Sequence, residues 1–133
     1  MKLLFVSILI IATTNFVKAQ DPTLGKSKDE IRNLIKPNTG INLLKGNNTD
    51  TLTMDGGLRI VIYYQNDTCY TSKSTMPLSL LSMVTNKMKT YKKVKENMWI
   101  SPSGIVRVEV TIAKNEDKFY IETSYANKEA KKP

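Results

Sequence analysis

Strict alternation of apolar and polar residues over "IVRVEVTIAK" predicts the clearest strand of the chain, residues 105–114. Its valines point to one side and its charged residues to the other, as expected for a strand with one buried face. A second alternating run, "LRIVIYYQ" at residues 58–65, predicts another strand of the same kind. Weaker runs on either side of the Gly-Asn-Asn cluster at 46–48 predict two short strands near a sheet edge.

Apolar residues at helical spacing predict two helices. The first runs from about Lys28 to Lys36, where the side chain of Ser27 can cap the helix and Glu30 completes a capping box. Pro37 ends this helix because it cannot continue the hydrogen-bond pattern. The second, roughly Leu78 to Lys92, carries an apolar stripe with polar residues opposite, which is typical of an amphipathic helix packed on a sheet.

The pair Asn66-Asp67 predicts a two-residue hairpin turn, because both residues tolerate the left-handed backbone that such turns need. Tyr64 then pairs with Cys69, which places the thiol on the apolar face as a small packing residue. The opposite face would carry Arg59, Tyr63 and Tyr70. A loop one residue longer would reverse these faces.

The order of these elements predicts an α+β fold, an antiparallel sheet with two helices packed on one face. Each half of the chain runs from a helix through a weak strand to an alternating strand, an Asn/Asp turn and a return strand with aromatic residues. Two interpretations stay open: a tandem of two helix-plus-three-strand units, or two hairpins that merely look alike.

The beginning of the chain, "MKLLFVSILIIATTNFVKAQ", has the pattern of a secretory signal, with cleavage expected after Ala19. Its apolar run is about ten residues long, whereas a membrane-spanning helix needs about 20, so we expect no transmembrane segment. The predicted organisation is a signal peptide at 1–19, one domain at 20–126 and a basic tail at 127–133, with a periplasmic or secreted location.

Net charge favours acidic partners. Without Lys2 and Lys18, the 20 basic residues become 18 against 12 acidic ones, or about +6. The densest cluster is a run of five lysines: Lys87, Lys89, Lys92, Lys93 and Lys95. At a helix C-terminus these lysines favour the helix dipole, and contact with an anionic surface is their alternative use. An export signal argues against nucleic acid as the partner.

The chain contains no histidine, which excludes serine or cysteine catalysis with an imidazole base and histidine-bearing zinc sites. A single cysteine excludes an internal disulfide and a zinc site made of thiolates. Asp50 and Asp55 alone do not supply the alternating acids of a calcium loop. We therefore expect no enzyme activity, no metal and no cofactor.

The stretch "LGKSKDEIRNLIKP", followed by "LRIVIYYQNDTCY", resembles the small periplasmic and outer-membrane modules of the SmpA/OmlA type, with the related β-lactamase-inhibitor-protein-like fold. Gly25, Ser27 and Glu30 stand where those modules have a glycine, a hydroxyl cap and an acid. The lipid-anchoring cysteine of those families is missing here. The resemblance implies a binding or scaffolding module without catalysis.

The sequence thus predicts an exported, non-enzymatic binding or scaffolding domain that recognises a protein or envelope component. Large aromatic residues and arginine carry much of the binding energy in interfaces. The candidate contact residues on this basis are Arg59, Tyr63, Tyr70 and Trp99. Two alternatives are a secreted inhibitor of another protein and a small hydrolase using carboxylates such as Glu109 and Glu122.

Overall fold

A computed structural model describes residues 23–35 and 40–127, and its main feature is an eight-stranded antiparallel sheet. The strands are β1 (Asn42–Lys45), β2 (Thr49–Met54), β3 (Leu58–Gln65), β4 (Thr68–Pro77), β5 (Lys92–Lys95), β6 (Met98–Ile100), β7 (Val106–Ala113) and β8 (Lys118–Tyr125). The helices are α1 (Lys28–Leu34) and α2 (Leu81–Lys87). The antiparallel α+β class is therefore confirmed, with the sheet as the larger part.

The order of strands across the sheet is β1-β2-β3-β4-β8-β7-β6-β5. Each half of the described chain contributes a helix and a meander of four strands. Strands β1 to β4 and strands β5 to β8 occupy equivalent positions on the two sides of the β4–β8 pair. The predicted units had three strands each, so each half has one strand more than expected. The halves join where β4 pairs with β8, from Thr71↔Ser124 to Pro77↔Lys118.

The first helix starts as predicted. The Ser27 side chain accepts a hydrogen bond from the backbone N–H of Glu30 at 3.1 Å, and α1 then runs to Leu34. The predicted end at Lys36 and Pro37 lies outside the described residues. The second predicted helix is present as a continuous helical segment over residues 78–90: 3-10 helix at Leu78–Leu80, then α2, then 3-10 helix at Met88–Thr90.

The β3–β4 hairpin has the predicted turn and register. Asn66 and Asp67 have φ angles of 54° and 61°, and Tyr64 pairs with Cys69. A β-bulge follows at once, because Tyr63 pairs with Thr71 and leaves Tyr70 as the extra residue. Cys69 is fully buried, which confirms it as a packing residue.

Most of the buried apolar side chains in the described residues form two clusters. The first contains Leu58, Met76, Val84, Trp99, Val110 and Phe119, so it includes α2 and strands from both halves. The second contains Ile31, Leu52, Ile60, Ile62, Tyr64 and Cys69, which belong to α1 and strands β2 to β4.

The lysine cluster is arranged differently from the prediction. Lys92, Lys93 and Lys95 do not end a helix but lie on β5, an edge strand whose residues are all exposed. The run "KKVK" has no alternation that would identify it as a strand, and it is held by pairing with β6 alone. Charged side chains on an edge strand oppose pairing with another chain.

Among residues 23–35 and 40–127, no helix is long and apolar enough to cross a membrane. The predicted signal peptide lies outside the described residues, as does the basic tail beyond Asn127. The signal peptide, the tail and the periplasmic or secreted location therefore stay predictions.

Candidate functional site

The two faces of the sheet differ in character across strands β2, β3, β4 and β8. One face carries the buried clusters, and we call the opposite one the outer face. Paired residues share a face, so the strand register defines the outer face as three rows. The rows are Thr49–Tyr63–Thr71–Ser124, Thr51–Val61–Lys73–Glu122 and Thr53–Arg59–Thr75–Tyr120.

A shallow concavity of about 400 Å³ lies on this outer face above Val61. It is lined by Thr49, Thr51, Arg59, Val61, Tyr63, Lys73, Thr75 and Tyr120. Hydroxyl groups, two cationic side chains and two phenol rings therefore surround one apolar side chain. Of these residues, tyrosine and arginine are the types that carry much of the binding energy at protein interfaces.

Tyr63 and Tyr70 form a tilted aromatic pair at one end of this surface. Their ring centroids are 6.5 Å apart and the rings are inclined by 56°. The bulge at Tyr70 brings the two rings together, because it adds one residue between Cys69 and Thr71. Both rings are only partly buried, so they present apolar area beside the concavity.

Tyr120 forms the other wall. The Nζ atom of Lys73 lies 5.1 Å from the centroid of its ring, within the range of a cation–π interaction. The Tyr120 hydroxyl donates a hydrogen bond to Oε2 of Glu116 at 2.7 Å. This bond to a carboxylate, with a smaller effect of partial burial, raises the pKa of Tyr120 and keeps the phenol protonated.

Two carboxylates face each other farther along the outer face, where Glu109 of β7 pairs directly with Glu122 of β8. Like charges at directly opposite positions repel each other. Ion pairs among the described residues are Lys28–Asp67, Arg32–Asp50 and Lys93–Glu96, and none of them lies on the outer face. Arg59, Lys73 and the two glutamates thus carry charges that no ion pair within the described chain neutralises.

Three of the four predicted contact residues come together. Arg59 and Tyr63 line the concavity, and Tyr70 lies against Tyr63. Trp99 is different: it is 8% exposed and belongs to the first buried cluster, so it is not a surface contact. Its pairing with Val108 puts it on the buried face, whereas its neighbours Met98 and Ile100 pair with the outward residues of β7.

The sequence did not reveal a buried polar cluster in the N-terminal half. Asp50 is fully buried, and its carboxylate accepts hydrogen bonds from Nε and Nη2 of Arg32 at 2.9 and 2.8 Å. The Tyr64 hydroxyl donates to it at 2.8 Å, and the backbone N–H of Gly46 at 3.2 Å. The signal was present in the alternation, because Asp50 is in phase with Leu52 and Met54.

The protonation states of this cluster follow from its contacts. Burial alone would raise the pKa of Asp50, but the hydrogen bonds from Arg32, Tyr64 and Gly46 outweigh it and hold the pKa below its usual value. Burial and the bond to Asp50 raise the pKa of Tyr64. The carboxylate is therefore ionised and accepts four hydrogen bonds, which suits a structural role.

Among the described residues, no group of three His, Cys, Asp or Glu side chains could hold a metal ion. Comparison of this chain with protein-family models, curated proteins and solved structures found no match. The resemblance to the SmpA/OmlA modules therefore stays a prediction.

Proposed function

We propose that this chain is an exported, non-enzymatic binding domain that recognises a protein partner of the cell envelope through its outer face. The observation that supports this function best is the concavity above Val61, where Arg59, Lys73 and the two tyrosines Tyr63 and Tyr120 meet. Aromatic residues and arginine dominate the energy of protein interfaces.

The proposal includes the idea that both helices cover one face of the sheet and leave the other open. Ile31 of α1 is clustered with Leu52, Ile60 and Ile62, and Val84 of α2 with Val110 and Phe119. All of these strand residues alternate with the outer-face residues. A domain arranged in this way has one face for stability and one for recognition.

Catalysis has less support. A carboxylate hydrolase would need two acids that converge in a cleft, and Glu109 and Glu122 are the candidate pair. They lie side by side on neighbouring strands, Glu122 is exposed, and neither lines the concavity above Val61. A secreted inhibitor would use the same outer face, so it is a special case of the binding proposal.

Capture of a partner from envelope extract tests this proposal. The domain from Gln20 onward is used as bait at low and high salt, beside the double variant R59A/Y63A and the control variant K87A/K89A. We expect a specific partner that the control retains and R59A/Y63A loses. Equal capture by all three proteins, or no specific partner at either salt, would contradict binding through the outer face.

A further inference from the structure

We infer that the partner binds through a short acidic segment of its own chain, which lies over Arg59 and Lys73. This inference rests on the proposed binding function. The outer positions of β2, β3 and β4 carry these two cations and no carboxylate. The concavity is therefore lined by two positive charges and several hydroxyl groups, without a negative charge beside them. Carboxylates of a partner would supply the missing charge and accept hydrogen bonds there.

The position of Lys73 strengthens this inference. It is paired across the strands with Glu122, yet the two side chains form no ion pair. Its ammonium lies over the Tyr120 ring instead, at 5.1 Å. Lys73 is thus held toward the concavity, on the same side as Arg59, and three threonines (Thr49, Thr51 and Thr75) line the space between them.

The neighbouring acids restrict the chemical class of the partner. Glu122 lies on the strand next to Lys73, and Glu109 lies on the strand after that. Neighbouring strands are about 5 Å apart, so the side-chain charge changes from positive to negative over that distance. Arg107 also lies on this face of β7, so the charges alternate in sign, and a polyanion such as a sulfated glycan, nucleic acid or anionic membrane would meet the glutamate pair as well as the cations. A protein surface can place acids over one patch and basic or neutral residues over the other.

The lysine cluster at residues 87–95 offers an internal comparison. It contains five lysines on the end of α2, the following 3-10 turn and the edge strand β5, away from the concavity. Among its residues only Lys93 forms an ion pair, with Glu96. A ligand that is attracted by positive charge alone would bind the lysine cluster. An acidic segment that is recognised by the outer face would bind at Arg59 and Lys73.

NMR titration of the ¹⁵N-labelled domain tests the inference with three probes: a blocked pentaglutamate peptide, a heparin tetrasaccharide and phosphatidylglycerol vesicles. With the peptide we expect chemical-shift changes centred on Thr51, Val61 and Lys73. The double variant R59Q/K73Q should weaken peptide binding about tenfold, because two charge contacts are lost. The control K87Q/K89Q has the same net charge and should change it less than about twofold.

Three results would overturn the inference: shifts centred on the lysine cluster, equal weakening by both double variants, or tighter binding of heparin or vesicles at the outer face. A further variant, E109Q/E122Q, should gain heparin binding at this face, while the control D55N/E96Q should not. If the peptide fails but the capture of the partner still depends on Arg59 and Tyr63, the binding function stands and only the acidic chemistry is wrong.

Discussion

The two halves of the molecule have the same order of elements but hold their helices by different means. In the N-terminal half, α1 has a single fully buried residue, Ile31. Arg32 links it to Asp50 of β2, and Lys28 links it to Asp67 in the β3–β4 turn. In the C-terminal half, Val84 of α2 is packed with Trp99 and Phe119, and none of the ion pairs among the described residues involves α2.

The difference shows how a short helix can be fixed with little apolar area. Both helices have seven residues and one buried side chain, but Leu81, Met83 and the flanking Leu78, Leu80 and Met88 add apolar contacts around α2. In α1 the bonds of Arg32 and Lys28 supply directional contacts instead. The Lys28 ammonium also lies 5.3 Å from the centre of the Tyr64 ring and donates a hydrogen bond to the backbone oxygen of Asn47. The C-terminal half replaces these bonds with large apolar side chains, which need no fixed geometry.

The largest loss of stability is expected in the apolar cluster. Phe119 is fully buried, and F119A should lower the free energy of unfolding by about 4 kcal/mol because it leaves a cavity. Chemical denaturation monitored by circular dichroism measures this. Y120A removes an aromatic ring from the next residue, on the outer face, and should cost about 0.5 kcal/mol. Equal losses would mean that Phe119 is not the centre of the core.

In the polar cluster, R32A should cost about 3 kcal/mol, since it leaves the charge of Asp50 buried without its cation. Urea denaturation measures the loss. R59A on the outer face is the matched control, and it should change stability by less than about 0.5 kcal/mol. If both arginine variants behave alike, the polar cluster does not anchor α1.

Low pH should lower the free energy of unfolding, because Asp50 in the N-terminal half becomes protonated. The pKa of this carboxyl is lower in the folded state than in the unfolded chain, so its stabilisation is complete at neutral pH. It is lost as the pH falls below the unfolded value of about 3.9 toward the folded one. Denaturation at pH 7 and at about pH 3 should show a smaller fall in stability for D50N than for the natural sequence. A parallel fall in both would assign the acid sensitivity to other carboxyls.

The smallest effect concerns the cap of α1. S27A removes the acceptor of the Glu30 N–H and should cost about 1 kcal/mol. Thermal unfolding measures the change. The control S82A, at an exposed position of α2, should be neutral or slightly stabilising, because alanine favours a helix. A loss on S82A equal to that on S27A would contradict a specific capping role.

The sequence predicted those features that depend on neighbours along the chain. The alternation in β3 and β7, the cap formed by the Ser27 side chain and the turn at Asn66-Asp67 all depend on a few neighbouring residues, and the register of Tyr64 with Cys69 follows from the turn. Arg59, Tyr63 and Tyr70 were placed together correctly for the same reason. Their role in binding stays a prediction.

Features that depend on distant residues were missed. Asp50 has its cation 18 residues away on α1, and no local pattern links it to Arg32. The sequence wrongly predicts an exposed Trp99, because its short strand β6 gives too little alternation to assign a face. The sequence does not predict strand β5, because its residues are all exposed and it is a strand only through its pairing with β6.

The seam between β4 and β8 has a consequence for how the chain reaches its final state. Thr71 to Pro77 lie in the first half, but their partners Lys118 to Ser124 emerge from a ribosome or a translocation pore only after α2 and three more strands. Until then one side of β4 remains an open edge, able to pair with the wrong strand. A holding chaperone that protects extended segments would therefore be needed most during this interval.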